Sequence, residues 1–319
     1  MIYILFFIIL LSSIVYLNVA KKFGIIDKPN ERSSHKKATI RGGGILFSIS
    51  ALLFFLCYQF QYPFFIAGLL LVSIISFIDD IYTLKSSYRI VVQLIAIILT
   101  LYQVPYPDIQ PFLLLMALFL ITGMLNIFNF MDGINGITGL YGITTISSLL
   151  YVDRFITDFI DHHLLVLALF SLIVFGFYNF RVKAKMFAGD IGSISIGLII
   201  IFGLSLLLVK TQNLMYLMFV LVYMLDGGCT IIQRAYSKEN IFKPHRKHLY
   251  QLLVDKKNTS HLKVSFFYSF CQLMVNIVII GLAETSSNVL PLVTIITFGL
   301  IAYLFFKIRI SNKTAEKHT

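Results

Sequence analysis

The sequence predicts an all-α polytopic integral membrane protein of about eleven transmembrane helices, with its N-terminus outside and its C-terminus cytoplasmic. Three observations predict it. The 319 residues are 58% hydrophobic and only 13% charged, with a mean hydropathy of +0.87, whereas soluble domains carry about 25% charged residues. Apolar stretches long enough to cross a bilayer recur along the chain without alternation at period two, which favours helices over an outer-membrane barrel. Lys and Arg gather in alternate connecting segments, as the positive-inside rule requires. With 19 Gly, 7 Pro and 3 Cys, collagen-like, disordered and disulfide-scaffold classes are excluded.

The expected spans, in order, are 2–20, 44–60, 63–79, 90–105, 111–128, 137–152, 163–178, 192–209, 213–230, 264–282 and 289–306. No basic residue precedes the first, no small-x-small cleavage site follows it, and Lys21 and Lys22 close it, so it reads as an uncleaved anchor. No internal repeat is visible and no soluble domain fits between spans. The chain is therefore expected to be one transmembrane domain, 1–319, whose loops at about 21–43, 79–89, 126–136, 179–191 and 231–263 carry the polar chemistry.

Assigning those loops and the tail from 307 to the inside gathers 24 of the 26 Lys and Arg there, the exceptions being Arg154 and Lys210. With Asp226, at the end of the ninth span, counted among them, the inside segments then net +14 and the outside ones −3. A basic cytoplasmic face favours anionic ligands beside phosphate-rich headgroups. Nucleic acid is a poor partner, because the cations sit in short loops between spans. Cys57, Cys229 and Cys271 lie in or beside spans, lack CxxC spacing and read as small apolar fillers.

Four polar clusters stand out on the inside. Asp79 and Asp80 end the third span, where two like charges meet the unfavourable end of a helix dipole. Such a pair makes sense if a divalent cation or an anion-binding cation shares the site, or with one carboxyl acting as a base. Lys85 and Arg89 follow, either to hold phosphate or to neutralise the pair. The run Asn126-Ile127-Phe128-Asn129-Phe130-Met131-Asp132-Gly133-Ile134-Asn135-Gly136 offers hard oxygen ligands, amide donors and glycines for close backbone approach. Met186 to Ser193 places Asp190 at or next to a helix N-cap, a position that capping alone would justify. Phe187 beside it suits an aromatic base or lipid. In the long loop after Asp226, His245, Arg246 and His248 would form a compact phosphate-binding set on one helix face, zinc being the competing use. The basic segment Arg32-Ser33-Ser34-His35 through Arg41-Gly42-Gly43-Gly44 adds a glycine-rich turn. Carboxylates, glycine turns and cations on one face together suggest phosphoryl transfer at the cytoplasmic surface.

In their order and shared sidedness these motifs resemble those of the polyprenyl-phosphate N-acetylhexosamine-1-phosphate transferases, the MraY/WecA-like glycosyltransferase family 4. The resemblance covers nearly the whole chain. It implies a bacterial inner-membrane enzyme that moves a sugar 1-phosphate from a UDP-N-acetylsugar to a polyprenyl phosphate such as undecaprenyl phosphate, releasing UMP. It also implies Mg²⁺ (or Mn²⁺) as cofactor and allows a homodimer. By position, Asp190 corresponds to the main metal ligand, with Asp79 and Asp80 as further ligands or a base. Asn126, Asn129 and the catalytic Asp132 correspond to positions holding diphosphate and nucleotide. Phe187, with Ile134 and Asn135, corresponds to the uracil contact, and Arg41, Lys85, His245, Arg246 and His248 to phosphate and sugar contacts.

The chain departs from the family pattern at Ala38-Thr39-Ile40, where Pro-Thr-Pro is common. It departs again at His245-Arg246-Lys247-His248-Leu249-Tyr250-Gln251, which looks closest to the O-antigen-initiating, WbpL-like branch. That branch uses UDP-linked fucosamine or quinovosamine derivatives; UDP-GlcNAc is the alternative donor. A transporter or lipid flippase, the competing class, would place ionisable residues near span midpoints and show repeated, broken helices.

Overall fold

A computed structural model describes residues 1–27, 38–106, 110–240, 245–283 and 289–315. Among these are twelve α-helices: α1 (Ile2–Phe23), α2 (Ile45–Cys57), α3 (Pro63–Tyr82), α4 (Ser86–Gln103), α5 (Pro111–Met131), α6 (Ile137–Phe155), α7 (His162–Asn179), α8 (Gly189–Thr211), α9 (Leu221–Tyr236), α10 (Leu249–Asp255), α11 (His261–Ala283) and α12 (Val289–Ala315). A 3-10 segment, Leu214–Val220, leads into α9, and a short antiparallel hairpin pairs β1 (Ile26–Asp27) with β2 (Thr39–Ile40). The chain is an all-α, multi-pass membrane protein.

Each of the eleven expected spans coincides with a helix. Nine of the helical stretches are long and apolar enough to cross a membrane, counting Leu214–Tyr236 as one. Two expected spans fall outside that set for different reasons. At 13 residues α2 is about 20 Å long, short of a hydrocarbon core of about 30 Å. The 19 residues of α6 include Thr138, Thr144, Thr145, Ser147, Ser148, Asp153 and Arg154, and much of this polar surface is covered by protein. The short α10 lies within the expected loop at 231–263.

Without a hydrophobic force between helices in lipid, packing depends on small residues and interhelical hydrogen bonds. The centre of the bundle, α8, shows this. Its span is 94% buried, against 22% for α1 and α5. Gly192 of α8 backs onto Gly44 at the start of α2, and Gly197 onto Phe128 of α5. A buried triangle of hydroxyls joins three helices: Ser48 (α2) to Ser73 (α3) at 2.7 Å, and both to Ser195 (α8), at 3.0 and 2.8 Å.

These contacts bring one set of helix ends together: the C-termini of α3, α5 and α7 with the N-termini of α2, α6 and α8. Arg154 and Lys210, the two cations outside the inward count, lie near the opposite ends of α6 and α8. That far end holds a separate 530 Å³ cavity lined by Gln61, Asp161, His162, His163 and Lys210, among others.

Candidate active site

At the clustered helix ends Asp190 is the meeting point. One of its oxygens receives Arg41 (Nη2–Oδ1 3.2 Å) and the other receives Arg89 (Nη2–Oδ2 2.8 Å) and the amide of Asn129 (3.3 Å). Ser193, one turn along α8, donates to Asn129 Oδ1 at 2.8 Å and so fixes which end of that amide faces Asp190. The second arm of Arg89 reaches Asp79 Oδ2 at 2.8 Å, and Arg41 Nε reaches Asp80 Oδ1 at 2.7 Å.

The Asp79–Asp80 pair, awkward at a helix C-terminus, is accounted for by this arrangement. Asp79 accepts the Leu84 amide at 2.6 Å, closing the turn between α3 and α4. Asp80, its side chain fully buried, turns to a different helix and accepts the amides of Asp190 (2.9 Å) and Ile191 (3.3 Å). It thus caps α8 in trans, placing negative charge at the favourable end of a dipole. Asp190, expected at or next to an N-cap, is the second residue of α8, and its carboxylate points away into the cluster.

The glycine run positions Arg41. The amides of Gly43 and Gly44 donate to the carbonyls of Phe187 (2.8 Å) and Ala188 (2.9 Å), and Phe187 N donates back to Ile40 O (2.8 Å). Tyr16 Oη donates to the Arg41 carbonyl. This docks the Arg41 turn onto the segment leading into α8. Arg32 to His35 lie outside the described residues.

The α5–α6 turn forms the next wall. Because α5 continues to Met131, Asn126 and Asn129 are helical residues and not loop residues. Asn126 sits one turn deeper, donating to Gln93 (3.2 Å) of α4 and to the Thr122 carbonyl (2.8 Å). Asp132, at the end of α5, accepts the Thr138 hydroxyl. Burial, with Asp190 and Asp80 nearby, pushes its carboxyl up to about 7. Ile134 is buried. Asn135 is a brace: its amide donates to the carbonyls of Arg181 (2.9 Å) and Val182 (3.3 Å), and its own carbonyl accepts Ser265 Oγ (2.8 Å). Gly136 (φ +89°) donates to Asn179 Oδ1 at 2.6 Å, and Asn179 donates to the Met186 carbonyl at 2.9 Å. These bonds hold the 181–188 segment that carries the half-buried Phe187.

The histidine loop differs from expectation. His245 precedes α10 and His248 is its N-cap, so the two are not on a helix face, yet their rings lie 4.8 Å apart. Burial, with His248, Arg234 and Lys247 alongside, lowers His245 to about 4 and leaves it neutral at pH 7. His248 is buried with Nδ1 3.7 Å from Asp226 Oδ1, and neither ring nitrogen has a hydrogen-bond partner among the described residues. Arg246 forms a two-pronged pair with Asp255, at 2.8 and 2.7 Å. Lys85 is exposed and in no ion pair among the described residues.

Arg89, expected either to hold phosphate or to neutralise the Asp pair, does neutralise it; it stands in the first turn of α4, which begins at Ser86, and not in a loop, the Ser86-Ser87 pair before an apolar run being the available signal. Asn179 and Asp226, polar residues at or near span ends, are the nearby residues that the sequence did not single out.

The donors at the centre are hard carboxylate oxygens. Asp79 and Asp190 already share one cationic group, Arg89, so the pair fits a hard divalent cation.

Fold and site together define a multi-pass membrane protein with a carboxylate–guanidinium centre at one end of its helix bundle. Residues 62–210 match the family model described as glycosyl transferase family 4. The chain is similar to a probable undecaprenyl-phosphate N-acetylglucosaminyl 1-phosphate transferase of Bacillus subtilis (strain 168): 25% identical over 266 residues, covering 77% of this chain and 74% of the relative. It is similar to the undecaprenyl-phosphate alpha-N-acetylglucosaminyl 1-phosphate transferase of Escherichia coli (strain K12), 24% identical over 313 residues, covering 90% and 84%. The protein of that name from Shigella flexneri matches equally. The family match over residues 62–210 and these relatives support the resemblance of the motifs to the MraY/WecA-like group.

Proposed function

We propose that this protein transfers an N-acetylated sugar 1-phosphate from a UDP-sugar to undecaprenyl phosphate, at the cytoplasmic rim of a bacterial plasma membrane. The observation that carries this is the convergence of Asp79, Asp80 and Asp190 with Arg41, Arg89 and Asn129 on one face. The family match over residues 62–210 and the similarity to sugar-1-phosphate transferases support the sugar-phosphate transfer. An oxygen of the lipid phosphate forms a bond to the β-phosphorus of the donor. The bond from that phosphorus to the bridging oxygen breaks, UMP leaves with the electron pair, and a polyprenyl-diphosphate sugar remains.

Asp190 and Asp79 are the residues we assign to Mg²⁺, which when bound supplies positive charge to the diphosphate as the phosphorus–oxygen bond breaks. Asp80, with its oxygens on two α8 amides and Arg41, is assigned to holding α8. Arg41 and Arg89, already turned toward the centre, are suited to phosphate oxygens once the carboxylates exchange them for ligand. The lipid phosphate is ionised at neutral pH, so the Asp pair organises charge more than it removes a proton. Phe187 is assigned to the uracil face, and His245 and His248 to the sugar-phosphate side.

The named relatives are GlcNAc-1-phosphate transferases, which favours UDP-GlcNAc as the first donor to test, ahead of the fucosamine and quinovosamine types suggested by the histidine loop. Either product would initiate a lipid-linked surface glycan such as O-antigen or capsule. The test is purified protein with undecaprenyl phosphate, Mg²⁺ and a panel of UDP-N-acetylsugars, read by UMP release and by product mass. No UMP from any donor overturns the proposal.

A further inference from the structure

Beside the site, α9 carries a carboxylate for which the proposed chemistry has no use. Asp226 is 1% exposed and accepts four strong donors: Leu249 N (2.8 Å) and Tyr303 Oη (3.2 Å) on one oxygen, Tyr250 N (3.2 Å) and Tyr268 Oη (2.7 Å) on the other. The two amides are the first of α10, orphan donors that need a partner. With seven residues, α10 is far too short to persist on its own propensity. Its orientation depends on what holds its ends.

Its N-terminal end is tied on both sides. Lys307 of α12, 8% exposed, donates to Tyr303 Oη (2.8 Å) and Thr230 Oγ1 (2.9 Å), bringing a buried cation to the Asp226 cluster. On the other side Tyr250 donates to the Phe130 carbonyl at 2.9 Å, and its hydroxyl occupies the space beside Gly133. The path from the last helix to the Asp132 turn therefore runs Lys307, Tyr303, Asp226, α10, Tyr250. His248, the N-cap of α10, lies within this path, and Gln251 Oε1 accepts its amide at 3.2 Å.

We infer that Asp226 is a positioning residue, latched from α12 by Tyr303 and Lys307, which holds α10 and with it His245 and His248 against the Asp132 turn. This rests on the transferase reading for its effect on rate, and on geometry alone for its effect on the loop. Asparagine cannot replace this carboxylate: both oxygens receive donors, and an NH₂ in place of one would face N–H and O–H groups.

The experiment compares full-length wild type, Asp226→Asn, Lys307→Met and Lys307→Arg in detergent. Trypsin cleavage after Arg246, Lys247, Lys256 and Lys257 reports the loop, thermal unfolding reports the whole protein, and kcat and KM are measured for both substrates. Asp226→Asn is expected to raise cleavage in the 245–257 segment at least tenfold with other loops unchanged, and to lower kcat at least tenfold with lipid KM within twofold. Lys307→Met shifts both in the same direction, and Lys307→Arg restores them. Unchanged cleavage in both Asp226→Asn and Lys307→Met overturns the latch, as does cleavage that rises equally in every loop. If Asp226→Asn does not fold, Lys307→Met with its Arg rescue decides on the same readouts. If the wild type makes no UMP, the transferase reading fails while the proteolysis still decides the latch.

Discussion

Gly44→Ala is the sharpest test of how the site is assembled. Gly44 has φ −68°, so alanine meets no backbone strain there and only space is at stake. An added Cβ would overlap the Gly192 Cα, lie 2.6 Å from the Gly192 nitrogen and 3.0 Å from the Ala188 carbonyl oxygen, where ordinary contact begins at 3.4 Å. All these neighbours are backbone, so α2 and α8 must part, by 0.8 Å from the nitrogen contact alone. Arg41 precedes Gly44 by three residues and pairs with Asp80 at 2.7 Å and Asp190 at 3.2 Å. Parting the helices separates the guanidinium from both carboxylates. Overpacking costs about 1–3 kcal/mol, and a displacement of about 1 Å at a reacting centre costs about a hundredfold in rate. The expected result is a thermal midpoint lowered by several degrees and a kcat lowered about a hundredfold. Gly123→Ala, with nothing within 4 Å of the new Cβ, leaves both unchanged. Wild-type turnover in Gly44→Ala would refute the claim that this contact sets the position of Arg41.

Three further outcomes are expected. Asp190→Asn abolishes turnover while the protein still inserts and folds, because Arg41 keeps Asp80 and Arg89 keeps Asp79; near-normal turnover by the UMP assay removes Asp190 from the metal role. Asp132, pushed up to about 7 in the fold, holds its proton more tightly folded than unfolded. Its contribution to stability is therefore full below about pH 4 and lost as pH rises to about 7. In thermal scans from pH 5 to 8, Asp132→Asn should lack that decline; a parallel profile would mean Asp132 titrates normally. Cysteines placed at Lys85 and Lys247, in a background lacking Cys57, Cys229 and Cys271, should label from the cytoplasmic side of the membrane, and labelling from outside would reverse the proposed orientation.

Much of this molecule is legible in the sequence, and the unread part has a common cause. Each expected span coincides with a helix because a backbone in lipid must satisfy its own hydrogen bonds, so continuous apolar runs leave little choice. The carboxylates at Asp79, Asp80 and Asp190 stood out because charge at a membrane rim is costly without a purpose. Helix ends were less readable. Polar residues looked like loop, yet α5 carries Asn126 and Asn129 as helix and α4 carries Arg89, because partners on neighbouring helices satisfy those side chains. Single-chain patterning contains no record of such partners. The same holds for the glycine-rich turn Gly42 to Gly44, where Gly44 serves as a close contact between α2 and α8.

One device recurs and explains why so many acids share one rim. Asp80 of α3 caps α8, and Asp226 of α9 caps α10. In each case a carboxylate from one helix satisfies orphan amides of another, at the end where the dipole favours negative charge. A neutral cap within the same helix would satisfy the amides but fix nothing else. A carboxylate donated across a helix pair ties two elements together and makes the position of a site residue depend on both. Asp190 and His248 each sit at or near such a junction. With the frame held by Asp80 and Asp226, the oxygens of Asp79 and Asp190 rest on Arg89 and Arg41, side chains that can move. Those pairs are the part of the cluster able to exchange a guanidinium for a ligand while the helices stay in place.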